Sequence, residues 1–241
     1  MRRSVEEAVT AMANGEFVLV VDDVHRENEG DLIIAAEAVT AEQIAFMVRY
    51  TSGLICLPTT GERLDALDLP PMVSDNTERH QTAFTVSIDY ARGTTTGISA
   101  ADRAATIRAV VDPDVSPGDF HRPGHIFPLR YHDGGVLARP GHTEAAVDLA
   151  RLAGMFPAGV LCELVDDDGS MMRGEALERF AEAHDLAMIS IADLIAYRWR
   201  TEDLVERNAT AMLPTEYGEF RIVGYRSRVD ASAHVALVRG D

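Results

Sequence analysis

Two short apolar runs that flank a charged loop constrain the fold more than any other feature of the chain. Residues 17–21 and 32–36 are rich in β-branched side chains and are bounded by charge, so both are typical of buried strands. The connection between them, residues 22–31, contains five acids, an arginine and a histidine. Carboxylates crowded on one connection repel one another unless a cation relieves them, and a divalent metal ion with oxygen ligands is one candidate. A solvated polar loop is the alternative interpretation of the same residues.

Beyond this loop, helical and strand-like segments alternate without an internal repeat, which predicts layered α and β structure around a mixed sheet. Helices are predicted at residues 4–12, 40–53, 99–111, 143–154 and 175–184, and a last helix starts at Ser190 or Asp193 and runs to about residue 200. Strands are predicted at residues 17–21, 32–36, 53–58, 82–89, 126–129, 136–137, 160–165 and 187–191. Residues 61–79 and 112–124 are polar and contain proline or glycine, so we predict that they are irregular.

The charge balance limits the possible partners. The 241 residues carry a formal net charge of −17, which argues against a general nucleic-acid or anionic-membrane surface, since both need clustered Lys and Arg. The N-terminus turns acidic before an apolar run develops, so no signal peptide is predicted, and no apolar stretch approaches membrane-spanning length. Cys56 and Cys162 lie in apolar segments without Cys-x-x-Cys spacing. Buried reduced thiols of a cytoplasmic protein are the simplest interpretation.

Two motifs repeat the order Arg, Pro, Gly, His. In residues 139–144, a turn precedes a helix that Thr143 can cap, so the helix start and Arg139 form a candidate anion site. A capped helix with incidental polar neighbours remains the other interpretation. In residues 122–125, His125 stands between a glycine turn and an apolar run. It can be a hydrogen-bonded core residue or a general acid or base.

A third candidate is Glu163, which lies in the apolar run 160–165. A carboxylate there is costly to ionise unless it is paired, so Glu163 is expected to be either ion-paired or functional.

Taken together, these segments resemble one known family over nearly the first 200 residues. The family is 3,4-dihydroxy-2-butanone 4-phosphate synthase, a riboflavin-pathway enzyme. The resemblance rests on residues 26–31 (RENEGD), 82–89 (TAFTVSID), 95–103 (TTGISAADR), 122–125 (RPGH), 139–144 (RPGHTE) and 162–164 (CEL).

The resemblance implies the class, the reaction and the site. Members have an α+β fold with three layers, αβα, and a mixed β-sheet, and they act as homodimers with active sites near the subunit interface. They convert D-ribulose 5-phosphate into 3,4-dihydroxy-2-butanone 4-phosphate and formate with Mg²⁺ or Mn²⁺. By motif, Glu27 and His142 would hold the metal. The implied catalytic positions are His125, Glu163, Asp31 and Glu29. The implied substrate-binding positions are Arg26, Glu27, Asp31, Thr96, Arg139, Pro140, Gly141, His142, Thr143 and Glu163.

One departure from the family pattern keeps an alternative open. Members usually have acids where this chain has Val24 and His25, which removes two negative charges beside Arg26. The alternative is a catalytically weakened homologue that serves as a dimeric scaffold for a fused partner domain. A sugar-phosphate isomerase is a third hypothesis.

The composition changes after residue 202, which divides the chain into a synthase domain (1–202) and a β-rich extension (203–241). The extension is predicted to contain two strands, and from about residue 213 it is similar to the opening of GTP cyclohydrolase II. The cysteine ligands of that enzyme's zinc site are absent from the segment. We therefore expect no cyclohydrolase activity from this chain, which reads as the truncated start of such a domain.

Overall fold

The structure, a computed structural model, describes residues 3–240. The outer limits of the predicted domains, residues 1 and 241, lie outside this range. The helices are α1 (Val5–Ala13), α2 (Ala41–Tyr50), α3 (Gly61–Ala66), α4 (Ala100–Val111), α5 (His142–Leu152), α6 (Glu175–Ala183) and α7 (Ile191–Thr201). The strands are β1 (Val18–Val21), β2 (Gly30–Ala35), β3 (Cys56–Thr59), β4 (Ile88–Tyr90), β5 (Phe120–Arg130), β6 (Gly159–Glu163), β7 (Ala187–Ser190), β8 (Val205–Thr215), β9 (Gly218–Ser227) and β10 (Ala233–Val238). Short 3-10 helices cover Ala36–Ala38, Pro117–Asp119 and Gly135–Leu137.

Strands β1 to β7 form one mixed sheet in the order β4-β5-β3-β6-β2-β1-β7. The β1–β7 and β3–β5 pairs are parallel and the others are antiparallel. In the β2–β6 pair, Asp31 lies opposite Glu163. The register therefore brings together two acids that are far apart in the sequence.

The sheet carries one apolar core on each face. Along β1, Leu19 and Val21 join the core that contains the buried faces of α2, α4 and α6. Val18 and Val20 point to the other core, which contains those of α1, α5 and α7. This alternation follows from the two-residue period of a strand. The predicted three-layer αβα arrangement is confirmed.

Three of the predicted local structures are wrong, and each has a physical reason. Residues 61–79 are not wholly irregular, because Thr60 accepts a hydrogen bond from the Arg63 amide and caps α3. Residues 136–137 belong to a 3-10 turn, not a strand, and the Val136 amide donates to the buried Asp148 carboxylate. The predicted loop 112–124 ends early, because Phe120 is buried and pairs with Tyr90 of β4 at the start of β5.

The predicted strand 82–89 is regular only at its end. Residues 84 and 85 make isolated bridges with Leu129 and Pro71, and the Thr85 amide donates to the Pro128 carbonyl. Pro71 and Pro128 have no amide hydrogen to return, so the ladder is interrupted.

The C-terminal residues form a separate three-stranded antiparallel sheet, in the order β10-β9-β8. Only two strands are predicted there. Strand β8 escapes prediction because all its residues are exposed, so it lacks the alternation that marks a half-buried strand. No helix within residues 3–240 combines the length and the apolar character needed to cross a membrane.

Candidate active site

Asp22 organises the charged loop that follows β1. Its buried carboxylate accepts hydrogen bonds from the backbone amides of Glu27 (3.0 Å) and Glu29 (2.9 Å). The Arg26 guanidinium also contacts it, at 3.0 Å. One side chain thus folds the loop back on itself and presents Glu27 towards α5.

His142 is the first residue of α5 and meets this loop. Its Nε2 lies 3.1 Å from the Val20 carbonyl oxygen. Because a carbonyl only accepts, Nε2 carries the proton, and Nδ1 is the nitrogen that faces the acids. Nδ1 lies 3.5 Å from a Glu27 oxygen and 3.7 Å from Asp31 Oδ1.

Three ligand atoms, one each from Asp22, Glu27 and His142, lie within 4.8 Å of one another. Two carboxylate oxygens and one imidazole nitrogen suit a divalent cation such as Mg²⁺ or Mn²⁺. Asp31 Oδ1 supports this fit, since among the described residues this buried atom has no hydrogen-bond partner. In the structure, the Arg26 guanidinium supplies the positive charge beside Asp22 and Glu27.

The crowding of charges shifts the pKa values of this group. Burial raises the pKa of Glu27, but its hydrogen bond with His142 and the charge of Arg26 outweigh this effect, and the pKa falls to about 2. Burial, with the nearby acids, raises the pKa of Asp31 to about 8. Burial lowers the pKa of His142, but the charge of Asp31 and the hydrogen bond with Glu27 prevail, so the pKa is raised to about 9.

A candidate anion site lies beside the candidate metal ligands. A side chain at Gly141 would overlap the Arg139 guanidinium and come within 3.2 Å of the Arg26 guanidinium. Both cations therefore lie against the N-terminal end of α5, whose free backbone amides attract anions. Arg139 is fixed by the buried Glu144 carboxylate at 2.6 Å and by the His80 carbonyl at 3.0 Å.

Glu163 ends β6 on the other side of the cavity. The Ser52 hydroxyl donates to its carboxylate at 2.6 Å, and the Ser52 amide donates to its backbone carbonyl at 2.8 Å. The Cys162 thiol lies 3.3 Å from the same hydroxyl. The alternative that Glu163 is ion-paired is not what the structure shows, because its recorded side-chain partners among the described residues are these neutral groups.

These side chains surround a cavity of about 270 Å³. The predicted site residues that line it are Arg26, Glu27, Glu29, Asp31, Arg139, His142, Thr143 and Glu163. Cys56, Glu78 and Thr82 also line it, and the sequence analysis assigned none of them a role. A larger groove, about 460 Å³, runs along residues 71–78, but the candidate metal ligands lie in the smaller cavity.

Four predicted residues are not among the described residues that line the cavity. Pro140 and Gly141 immediately precede α5. His125 lies on β5 and bonds to Asp89. Thr96 is exposed in the loop before α4, where Asp102 holds the neighbouring Thr95 and Gly97. The sequence analysis also gave no role to Asp22, Ser52 or Asp89. Asp22 is one of the acids of the charged loop and Asp89 ends the matched segment 82–89, so both had a signal in the sequence, whereas Ser52 had none.

Comparisons with known proteins identify what the chain is similar to. A family model described as 3,4-dihydroxy-2-butanone 4-phosphate synthase matches residues 6–197, and one described as GTP cyclohydrolase II matches residues 206–241. The chain is 60% identical over 238 residues to "Riboflavin biosynthesis protein RibBA" of Salinispora arenicola, covering 99% of this chain and 57% of that protein. For the protein of that name from Nocardia farcinica, the identity is 60% over 240 residues, covering 99% and 58%. The chain thus spans less than two thirds of these relatives.

Solved structures of 3,4-dihydroxy-2-butanone 4-phosphate synthases are also similar to this chain. RibBX of A. baumannii, a two-domain 3,4-dihydroxy-2-butanone 4-phosphate synthase, superimposes with a TM-score of 0.88 and 48% identity, covering 99% of this chain and 70% of that chain. A 3,4-dihydroxy-2-butanone 4-phosphate synthase in complex with two magnesium ions has a TM-score of 0.80 and 52% identity, covering 83% and 98%. A cation-free form of a synthase has a TM-score of 0.79 and 50% identity, covering 84% and 100%.

Proposed function

Because the chain belongs to the 3,4-dihydroxy-2-butanone 4-phosphate synthase family, we propose that it converts D-ribulose 5-phosphate into 3,4-dihydroxy-2-butanone 4-phosphate and formate in riboflavin biosynthesis. The observation that carries the proposal is the cavity itself. A three-ligand metal group and an anion site with two arginines lie side by side around it. A small phosphorylated polyol needs this combination.

In this proposal, Glu27 and His142 hold Mg²⁺ or Mn²⁺, and Asp22 is a further candidate ligand. When bound, the ion would act as a Lewis acid towards neighbouring substrate oxygens. A site with few protein ligands leaves positions for those oxygens and for water. The relative solved with two magnesium ions supports the use of a divalent cation.

In this proposal, the phosphate group anchors the substrate in the cavity. Arg139 and Arg26 contact it, while Thr143 and the start of α5 supply hydroxyl and amide donors. Pro140 and Gly141 form the turn that lets the phosphate approach these donors. Fixing the phosphate away from the metal ligands sets the reacting carbons between them.

The reaction needs several proton transfers. An enediol forms from the ketose, the C1 hydroxyl leaves as water, and the carbon skeleton migrates. A water molecule then adds at C4, and the bond to this carbon breaks to release formate. Asp31, Glu29 and Glu163 line the cavity and serve as acceptors or donors for these protons. Burial raises the pKa of Glu29 above its usual value. Burial raises the pKa of Asp31 to about 8, which suits this carboxyl to proton exchange near neutral pH.

A homodimer accounts for two of the four predicted residues outside the cavity, His125 and Thr96. We propose that a second copy of the chain brings His125 and Thr96 to the cavity of its partner. The protein is expected to work in the cytoplasm on a small molecule, without nucleic acid or membrane. Residues 1–202 form the synthase domain in this proposal, and residues 203–241 begin a cyclohydrolase-like unit.

The test is to incubate the protein with ribulose 5-phosphate and Mg²⁺ and to measure formate. Metal-dependent formate supports the synthase. Its absence, with or without metal, rejects the synthase and favours the scaffold, which the departures at Val24 and His25 motivate. An isomeric sugar phosphate without formate would instead identify an isomerase.

A further inference from the structure

Arg26 contacts the candidate metal ligands and the candidate anion site at the same time. Its Nη1 lies 3.0 Å from Asp22 Oδ2 and 2.6 Å from Glu27 Oε2. Its Nη2 lies 3.2 Å from the position that a Cβ atom would take at Gly141, the residue before α5. The two ends of one guanidinium group therefore lie in two different parts of the cavity.

The contact with the two acids places Arg26 in competition with a cation. Asp22 and Glu27 supply two of the three clustered ligand atoms. Divalent ions bind carboxylate oxygens at about 2.0–2.6 Å, so an ion on Glu27 Oε2 would lie within about 5 Å of Arg26 Nη1. Water screens the two positive charges little, since the Asp22 side chain is 1% exposed, and they repel each other. A divalent ion therefore binds these oxygens at the expense of the guanidinium.

The loop keeps its fold when the guanidinium leaves the acids. The Asp22 carboxylate also accepts from the backbone amides of Glu27 and Glu29, at 3.0 and 2.9 Å. The Arg26 amide donates to the Asp23 carbonyl at 2.9 Å. None of these three hydrogen bonds involves the guanidinium, so rotation of the Arg26 side chain alone releases both acids.

The candidate anion site offers the released guanidinium a new partner. The Arg139 guanidinium lies 2.5 Å from the same Cβ position at Gly141, so two cationic groups face each other there. An anion between them relieves their repulsion. A phosphoryl group has the oxygens to accept two parallel hydrogen bonds from a guanidinium, and the Nη2 end of Arg26 already lies beside this position.

We propose that Arg26 couples the two parts of the cavity, because a divalent ion on the acids transfers the Arg26 guanidinium to a phosphoryl group at the start of α5. The ion and the phosphoryl group then bind with positive cooperativity, since each favours the same position of Arg26. The inference rests on the proposed function for the identity of the two ligands. It gives Arg26 a task beyond contact with the phosphate, which is to weaken metal binding until a phosphorylated ligand is present.

The test is calorimetric titration of the protein with Mg²⁺, with and without inorganic phosphate. In the wild type, we expect saturating phosphate to raise the affinity for Mg²⁺ about 10-fold. The R26Q variant lacks the competing charge, so it should bind Mg²⁺ alone at least about fivefold more tightly than the wild type. Phosphate should change the Mg²⁺ affinity of R26Q less than about threefold, because the coupling residue is gone.

The matched control is R139Q. Arg139 lines the same cavity, but its guanidinium is held by the Glu144 carboxylate and the His80 carbonyl and not by the clustered acids. We expect R139Q to bind Mg²⁺ alone within about threefold of the wild type, because the charge of Arg139 is already balanced by Glu144. This control separates the contact made by Arg26 from the general effect of removing one positive charge beside the cavity.

Two calorimetric results overturn the inference. One is an R26Q variant that binds Mg²⁺ no more tightly than the wild type. The other is an effect of phosphate in R26Q as large as in the wild type, which would assign the coupling to direct attraction between the ion and phosphate.

A crystal structure of the wild type with Mg²⁺ and phosphate gives a check that needs no variant. We expect the Arg26 guanidinium to contact the phosphate and to have left Glu27. A guanidinium that still bridges Asp22 and Glu27 beside the bound ion overturns the inference. None of these measurements depends on turnover, so a protein that makes no formate would reject the proposed function, while the titrations would still decide the coupling.

Discussion

His125 and His142 follow the same three residue types, Arg, Pro and Gly, but their backbones differ. His142 begins a helix and is buried, with its ring nitrogen on the Val20 carbonyl. His125 lies in an edge bulge with its ring on Asp89. In both motifs, the glycine allows a close approach, at Gly124 to backbone and at Gly141 to two guanidinium groups. The shared order Arg, Pro, Gly, His therefore indicates a close approach at the glycine and not a common role for the two histidines.

Removing the charge of Glu27 tests the metal assignment. Glu27 contributes one of the three clustered ligand atoms, so E27Q should weaken Mg²⁺ or Mn²⁺ binding at least about 10-fold. Titration calorimetry with the metal alone measures this change. The control is E78Q, in the same cavity, because Glu78 is held by the His80 and Thr82 amides and not by the cluster. Equal affinities of E27Q and the wild type would contradict the assignment.

Metal binding should release a proton from His142. The pKa of His142 is raised to about 9, so the ring is charged at neutral pH and must lose a proton before Nδ1 can bind an ion. We expect about one proton released per ion at pH near 7, with apparent affinity rising with pH and levelling above about pH 9. Calorimetry in two buffers of different ionisation enthalpy counts the protons. Affinity that does not change between these pH values would exclude His142 as a ligand.

The Ser52 hydroxyl should affect turnover through its hydrogen bond to Glu163. Threonine keeps the hydroxyl at this exposed position, whereas valine has the same shape without it. We expect S52V to lower kcat about 10-fold, since a hydrogen bond to a charged group contributes about 1.5–3 kcal/mol, and S52T to stay near the wild type. Formate assays at saturating substrate give both values. Similar activity in the two variants would show that the hydroxyl has no such role.

At the scale of elements, α5 connects the metal group, the anion site and the domain core. Asp148, near its middle, is 2% exposed and accepts from the Tyr131 hydroxyl (3.0 Å), the Val136 amide (2.8 Å) and Arg198 (2.7 Å). Arg198 itself belongs to α7. One carboxylate therefore ties α5 to α7 and to the turn that precedes the anion site.

Truncation of Asp148 should destabilise the fold. The D148A variant leaves the half-buried Arg198 with Glu202 as its remaining recorded carboxylate among the described residues, and two other donors lose their acceptor. We expect the free energy of unfolding to fall by about 3 kcal/mol, measured by urea denaturation. The control is E175A on α6, whose side chain is 91% exposed, and its transition should not move. A loss below about 1 kcal/mol in D148A would show that the network contributes little.

At the scale of the whole molecule, the chain contains two sheets of different character. The seven-stranded sheet encloses two cores, whereas the three-stranded sheet leaves Met212, Val235 and Leu237 exposed. Two solved synthase structures are covered at 98% and 100% while matching only 83% and 84% of this chain. The larger unit is therefore expected to function without the extension.

Removal of residues 203–241 should leave the synthase intact. The residues proposed to bind the metal, to bind the phosphate and to transfer protons all precede this segment. We therefore expect the shortened chain to produce formate at a rate within about threefold of the whole chain, with a closely similar melting temperature. Activity and melting temperature of the two forms measure this. The turn at Gly134 approaches the Val229 carbonyl, so a large loss on truncation would show that this contact supports the larger domain.

Several helix starts, the first strand and the family could be predicted from the sequence alone. Capping pairs such as Ser4 with Glu7 and Thr40 with Gln43 mark helix starts that the structure confirms, because a cap depends on residues three positions apart. The apolar run at residues 17–21 likewise predicts β1. Both signals are local, so they can be read before the fold is known. The matched motifs, which occur in the expected order along the chain, were enough to identify the family.

The contacts between the site residues depend on the tertiary structure and could not be predicted from the sequence. The order of strands places Asp31 opposite Glu163 and turns His142 towards Glu27, and it joins Asp89 to His125 across a bulge. It also separates His125 from the cavity in a single chain. These contacts join segments far apart in the sequence, and no periodicity specifies sheet order or register. The chemistry of each side chain could be read from the sequence, but its partners were set by how the layers pack.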